Sequence, residues 1–202
     1  MDKSAGKAPG DRELVLPELL ATAAAALQAA EAFQAEARAA VAGLVAPAGK
    51  VEAGRLEAEQ FAAHGFAWLS TYVAALEQML HWAERLAADG RLRELETLML
   101  QAAFGEYLQQ MTGGLALSQV EILRPGDMGL ARAAVARLQV PAVEALIAGG
   151  NSSAVRLRIA ALLAEGRDSG DFGDPALDDE TLEMVRDQFR KIAEDHIDDA
   201  HD

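Results

Sequence analysis

From Glu52 to Ala88 the chain carries one long helical periodicity, and that run limits the class of fold open to everything else. Phe61, Trp68, Tyr72, Leu76, Met79, Leu80, Ala83 and Leu86 recur at helical spacing, so they share one face of a single helix. Unbroken, such a helix would be roughly 55 Å long. Asp89-Gly90 closes it, because glycine accepts the left-handed cap conformation. A second run follows at once: Leu92, Leu95, Met99, Ala102, Phe104, Leu108 and Met111 predict a helix over about 92–111. A stop this short forces the two helices into an antiparallel hairpin. Residues 61–107 also hold both tryptophans, both tyrosines and three of the six phenylalanines, so the core is expected there. Gly65 costs about 1 kcal/mol against alanine inside a helix and reads as a point of close helix–helix approach.

The flanks obey the same class. No segment sustains period-2 alternation, and the predicted fold is all-α: a helical bundle built on the long hairpin, then a linker and one amphipathic C-terminal helix. Residues 1–16 read as a disordered tail. Residues 17–165 form the helical domain. Its first helix runs from Pro17 to about Val45, with a thin stripe traced by Leu20, Ala24, Leu27, Ala30 or Glu31, Gln34, Arg38 and Val41, packed along one edge. Gly43, Pro47 and Gly49 end it. After Thr112-Gly113-Gly114, residues 115–130 read as an ordered loop with a turn of helix at Ala116–Ile122. Short helices are expected at 130–138, 141–148 and 153–164, the last capped from Gly149-Gly150-Asn151-Ser152. Residues 166–177 are a Gly/Asp linker and the best domain boundary. In 178–202, Asp178 or Asp179 caps a helix over 180–197 whose stripe is Leu182, Val185, Phe189, Ile192, Ala193 and Ile197.

Charge and cysteine content exclude several functions. The net charge is −14, with most of the excess in residues 165–202, which repels a polyanion and argues against nucleic acid as partner. With no cysteine there is no disulfide framework and no thiolate chemistry, which fits a cytoplasmic protein. The N-terminus has no apolar run of a signal peptide, and no window is apolar enough to span a membrane.

No catalytic, cofactor-binding or metal-binding residue emerges. Glu77 and His81 share a helix face, but a carboxylate-bridged di-metal site needs Glu-x-x-His, usually twice, with further carboxylates. His64 and His81 read as surface or interface histidines, and His196, Asp199 and His201 as an acidic terminus. Ser70 and Thr71 lie in a helix without a nucleophile motif; Ser118, Ser152 and Ser153 lie in turn or cap contexts. Arg124 in Arg124-Pro125-Gly126-Asp127 either holds a phosphate or carboxylate, or pins its own loop through Asp127.

Two stretches carry a resemblance. AAHGFAWLSTYVAALEQMLHWAERL followed by LQAAFGEYLQQMTGGLALSQVEILRPGDMGL, spanning about Val51 to Leu130, resembles the N-terminal extension found in a subgroup of flavin-dependent acyl-CoA dehydrogenases. FGDPALDDETLEMVRDQFRKIAED resembles the first helix of that family's N-terminal α-domain. The order of the two is also that of the family. The resemblance implies a parent enzyme that uses FAD to dehydrogenate an acyl-CoA at its α and β carbons. It implies the rest of that chain and a homo-oligomer as partners. It ends before the family's flavin domain and catalytic glutamate, so neither maps onto a residue here, and no cofactor is expected for this chain alone. Gln110, Gly113 and Gly114 match the spacing of a Gln-x-x-Gly-Gly element that lies near the adenine end of the flavin in the family's C-terminal bundle. That match reads either as descent from a duplicated bundle or as a common helix stop. The competing reading of the whole chain is a stand-alone helical module that binds a partner helix with its Trp/Tyr hairpin. A metal-dependent bundle enzyme is the third and least supported.

Overall fold

A computed structural model describes residues 14–165 and 180–196. The chain forms two compact units, Met1–Ser169 and Gly170–Asp202. The described residues contain eight α-helices, one 3-10 turn and a two-stranded hairpin, so the fold is all-α with a small β addition. In the first unit these are α1 (Leu19–Val45), α2 (Ala53–Ala58), α3 (Gln60–Ala88), α4 (Glu94–Gly113), β1 (Leu115–Ala116), β2 (Ile122–Leu123), the 3-10 turn Pro125–Met128, α5 (Arg132–Leu138), α6 (Pro141–Gly149) and α7 (Ser153–Ala164).

Helix α1 is the hub. α3, α5 and α6 all pack against it. Its buried set is Leu19, Ala23, Ala26, Leu27, Ala30, Phe33, Ala37, Val41 and Val45. Of the stripe that the sequence suggests, Leu27, Ala30 and Val41 are in this set and Leu20, Ala24, Glu31, Gln34 and Arg38 are not. Phe33 supplies the one large ring on this helix, and the fully buried alanines let neighbouring backbones approach closely. The buried positions recur at three and four and lie on one side of the helix, while Glu31, Ala32, Ala35, Arg38 and Ala39 on the other side are exposed. The single packed edge is there, but turned about the axis from the expected one, because alanine on both sides leaves little contrast to place it.

The predicted 52–88 helix is broken. Glu59 sits at φ −107°, ψ 24°, between α2 and α3. None of the six residues of α2 is buried, so no packing holds it in line with α3. The buried face of α3 is Ala62, Gly65, Leu69, Tyr72, Val73, Leu76, Leu80, Ala83 and Leu86. Phe61 is exposed, and Trp68 and Met79 lie half-buried beside that face. Residues 89–93 lead into α4, where Arg93 N–H donates to the buried Glu96 carboxylate at 3.1 Å. α4 buries Leu95, Leu98, Leu100, Gln101, Phe104, Leu108 and Met111 and packs on α3, α6 and α7.

The α4–α6 crossing is a backbone contact. A Cβ on Gly105 would stand 2.8 Å from both the Asn151 nitrogen and the Leu146 carbonyl oxygen, and 3.0 Å from Gly150 Cα. Only glycine fits at that position.

Residues 115–123 do not form the expected helical turn. They form an antiparallel hairpin with register Leu115↔Leu123 and Ala116↔Ile122. Gly114 enters it at φ 141°, a conformation that costs glycine little. The Ser118 hydroxyl oxygen accepts the Glu121 N–H at 3.1 Å and closes its turn. The hairpin rests on α3: an added Cβ on Gly65 would strike Leu123, whose Cγ would lie 2.8 Å away. Gly65 therefore marks a close approach, as its cost in a helix suggests, but of the hairpin and not of another helix.

The start of the described chain is also fastened. Leu16 N–H donates to Gln101 Oε1 at 2.7 Å, and Gln101 Nε2 donates to the Leu14 carbonyl at 2.9 Å. Leu14 to Leu16, read from sequence as part of a disordered tail, are thus held to α4 by a fully buried glutamine. On the surface, Arg137 of α5 pairs with Glu36 of α1, and Arg158 of α7 pairs with Glu94 of α4 at 2.6 Å.

In the second unit, α8 (Glu180–His196) is amphipathic. Leu182, Val185, Phe189 and Ile192 form its stripe, and all four are exposed. The predicted linker 166–177, Ile197 and the side chains of His196, Asp199 and His201 lie outside the described residues.

Candidate functional site

The densest grouping of polar and aromatic side chains is a seam between α3, α4 and the α6–α7 junction. It begins on α3, where residues four apart stack up one face. His64 Nε2 accepts the Trp68 indole N–H at 2.8 Å, and the two rings meet edge-on. Trp68 meets Tyr72 edge-on with centroids 6.0 Å apart, and Tyr72 stacks on Tyr107 of α4 at 4.2 Å. Offset and edge-on pairs of this kind add about 0.5–1.5 kcal/mol each beyond the area they bury.

The polar half continues from the Tyr72 hydroxyl. It donates to Gln110 Oε1 at 2.8 Å. Gln110 Nε2 donates to Glu106 Oε1 at 2.7 Å, and Asn151 Nδ2 donates to Glu106 Oε2 at 2.8 Å. Both carboxylate oxygens of Glu106 are thereby used, and the chain Tyr72–Gln110–Glu106–Asn151 joins three elements of the unit. Burial raises the Tyr72 phenol above its ordinary value, with Tyr107 and Glu106 adding to the effect. The phenol is therefore a fixed proton donor near neutrality and not a base.

These contacts also define what Gln110, Gly113 and Gly114 do. Gln110 spends its carbonyl on Tyr72 and, at 3.4 Å, on the Ala116 N–H, and its amide on Glu106. A Cβ on Gly114 would meet Ile122 at 2.6 Å. The element ends α4 and aims the chain into the hairpin.

The remaining residues singled out in the sequence are dispersed. His81 is exposed on α3. Ser70 and Thr71 hydroxyls donate to the carbonyls of Phe66 and Ala67, one turn back. Ser152 caps α7 by accepting the Val155 N–H at 3.3 Å. The Asp127 carboxylate accepts the Arg124 backbone N–H at 2.7 Å, so pinning at this loop runs through the main chain and leaves the exposed guanidinium out of it. Among the described residues, no group of three or more His, Asp or Glu is placed to hold a metal ion. No described helix is long and apolar enough to cross a membrane.

The sequence does not single out Glu106 or Gln101, and offers Asn151 only as part of the stretch that caps α7. Glu106 and Gln110 lie four apart on one helix, a spacing at which side chains meet, so that half of the seam was findable. Asn151 is 45 residues from Glu106, and nothing local points to it.

No protein-family profile matches the chain. Across 185 residues, 91% of its length, it is 45% identical to (2S)-methylsuccinyl-CoA dehydrogenase of Cereibacter sphaeroides. The chain resembles part of an acyl-CoA dehydrogenase. It spans about a third of that relative's length, 32%.

Proposed function

We propose that this chain is the non-catalytic helical extension of an FAD-dependent acyl-CoA dehydrogenase, together with the first helix of its α-domain. The full protein would dehydrogenate a short branched acyl-CoA such as methylsuccinyl-CoA. The observation that carries the reading is the identity to the Cereibacter sphaeroides enzyme, which runs through nearly the whole chain. Bound FAD supplies the acceptor for the substrate's hydride in that reaction class, and no step of the reaction is assigned to residues of this chain. Their role is structural: α1 and α4 hold the unit together, and the Tyr72–Gln110–Glu106–Asn151 seam fixes how α3, α4 and the α6–α7 junction meet.

Two features support the division into 17–165, a linker at 166–177, and a first α-domain helix in 178–202. The described helices of the first unit end at Ala164, and α8 exposes an apolar stripe suited to helices beyond this sequence. A stand-alone module that binds through its Trp/Tyr hairpin draws less support, since Tyr72 and Tyr107 stack on each other and Trp68 bonds His64.

The test is an exchange. Residues 14–196 replace the matched third of the Cereibacter sphaeroides enzyme, and acyl-CoA dehydrogenation is assayed beside the 202-residue chain alone. The chimera is expected to turn over methylsuccinyl-CoA, and the chain alone to show neither flavin nor activity. An inactive, unassembled chimera, or turnover by the chain alone, refutes the reading.

A further inference from the structure

Exposed large apolar side chains are unevenly spread over the first unit. Of the seven among its described residues, Val51, Leu56, Phe61, Val120 and Ile122 belong to the α2–α3 entry or the hairpin, and only Leu157 and Leu163 lie elsewhere. Phe61, Leu117 and Glu121, with Gln60 and His64, line an open groove of about 560 Å³ between the start of α3 and the hairpin. Val120, next to Glu121 at the tip, is 90% exposed.

The hairpin that carries these side chains is firmly built. Leu123 is buried against Gly65, the Ser118 hydroxyl closes the turn, and Gln110 holds the Ala116 N–H. Alternation along β2 that buries Leu123 turns Ile122 outward. The fold thus holds an apolar edge in a fixed position facing solvent, which marks an interaction surface when such side chains are contiguous.

The shape and charge of the groove select among occupants. It is too open to enclose a small ligand, and its lining is mixed, with Phe61 and Leu117 beside Gln60, His64 and Glu121. One carboxylate, Glu121, lines it, and Glu57 and Glu59 precede the lining residues Gln60 and Phe61 in the chain. A two-fold pair of identical grooves would bring these carboxylates against their own copies, which is unfavourable. The complementary partner is an apolar ridge flanked by Lys or Arg.

We propose that this groove is where residues 14–165 dock on the dehydrogenase body, the part of such an enzyme that corresponds to the two thirds of the relative's length unmatched here. The inference rests on the functional reading above and adds the surface through which the extension attaches.

The chimera supplies the test. Amide exchange at residues 115–123 is compared between the chimera and the 202-residue chain. Docking slows exchange there in the chimera, and V120D or V120D/I122D removes that slowing while leaving the melting of the 202-residue chain unchanged. E121R, which reverses the charge of the margin, weakens the protection as well. An active chimera whose hairpin exchanges as fast as in the isolated chain overturns the docking surface and leaves the functional reading standing. So does an isolated chain that dimerises and is dispersed by V120D but not by F189E. A chimera that neither assembles nor turns over substrate removes both.

Discussion

Helices α1 and α8 present opposite faces of the same physics. α8 has the cleaner stripe, with Leu182, Val185, Phe189 and Ile192 in a row, yet those side chains are exposed. α1 has a blurred pattern dominated by alanine, yet nine of its residues are buried, and α3, α5 and α6 pack on it. Sharp amphipathicity reports that a helix has one wet side; it says nothing about whether the dry side is covered. α1 also keeps an exposed side, with Glu31, Ala32, Ala35, Arg38 and Ala39 on it, but alanine on both sides flattens the periodic contrast. Ranking helices by the clarity of their stripe therefore inverts their importance in this molecule.

The comparison breaks first at Phe33. Phe33→Ala removes the only large ring that α1 buries and should cost about 3–5 kcal/mol, read by urea or thermal unfolding. A loss below 1 kcal/mol would mean that α1 is not the hub. Gly105→Ala comes next. The new Cβ meets backbone atoms, which cannot swing aside, so destabilisation of about 1–3 kcal/mol is expected, with α4 and α6 forced apart.

Tyr72→Phe is smaller, about 1 kcal/mol for one hydrogen bond. It also carries a pH signature. The folded phenol titrates above its ordinary value of 10.0, so the folded state favours the neutral form. The resulting stabilisation is complete below pH 10 and is lost as the pH rises through the folded value. Melting temperature should fall more steeply above pH 10 in the wild type than in Tyr72→Phe. Parallel curves would remove Tyr72 from the alkaline transition.

Phe189→Glu on α8 has the least effect on unfolding, within about 0.5 kcal/mol for an exposed site. Its consequence lies in association. The 202-residue chain should self-associate through the α8 stripe, and the substitution should lower its mass in sedimentation. If the wild type sediments as a monomer, the exposed stripe does not drive association.

The helix class, most helix ends in the first unit and the Ser152 cap are legible in the sequence. Those features are local: Pro141 starts α6, Ser152 caps α7 and the glycine at 114 ends α4. What escaped it depends on partners far along the chain. The face of α1 is set by what surrounds it, and the break at Glu59 arises where α2 lacks packing. The hairpin at 115–123 forms on a surface that only Gly65 leaves open. In the seam, Tyr72, Gln110 and the aromatic spacing were visible on their own helices, but their bonds to one another cross 38 residues. No local pattern encodes such a pair.

The Gln101 clamp has a consequence for synthesis. Its partners, Leu16 and Leu14, lie 85 and 87 residues earlier. At roughly 5–20 residues per second, the ribosome leaves those leucines without their glutamine for on the order of ten seconds. For that interval, Leu14–Leu16 stand open to any chaperone or protease at the tunnel exit. The clamp closes as a late fastening, when α4 arrives.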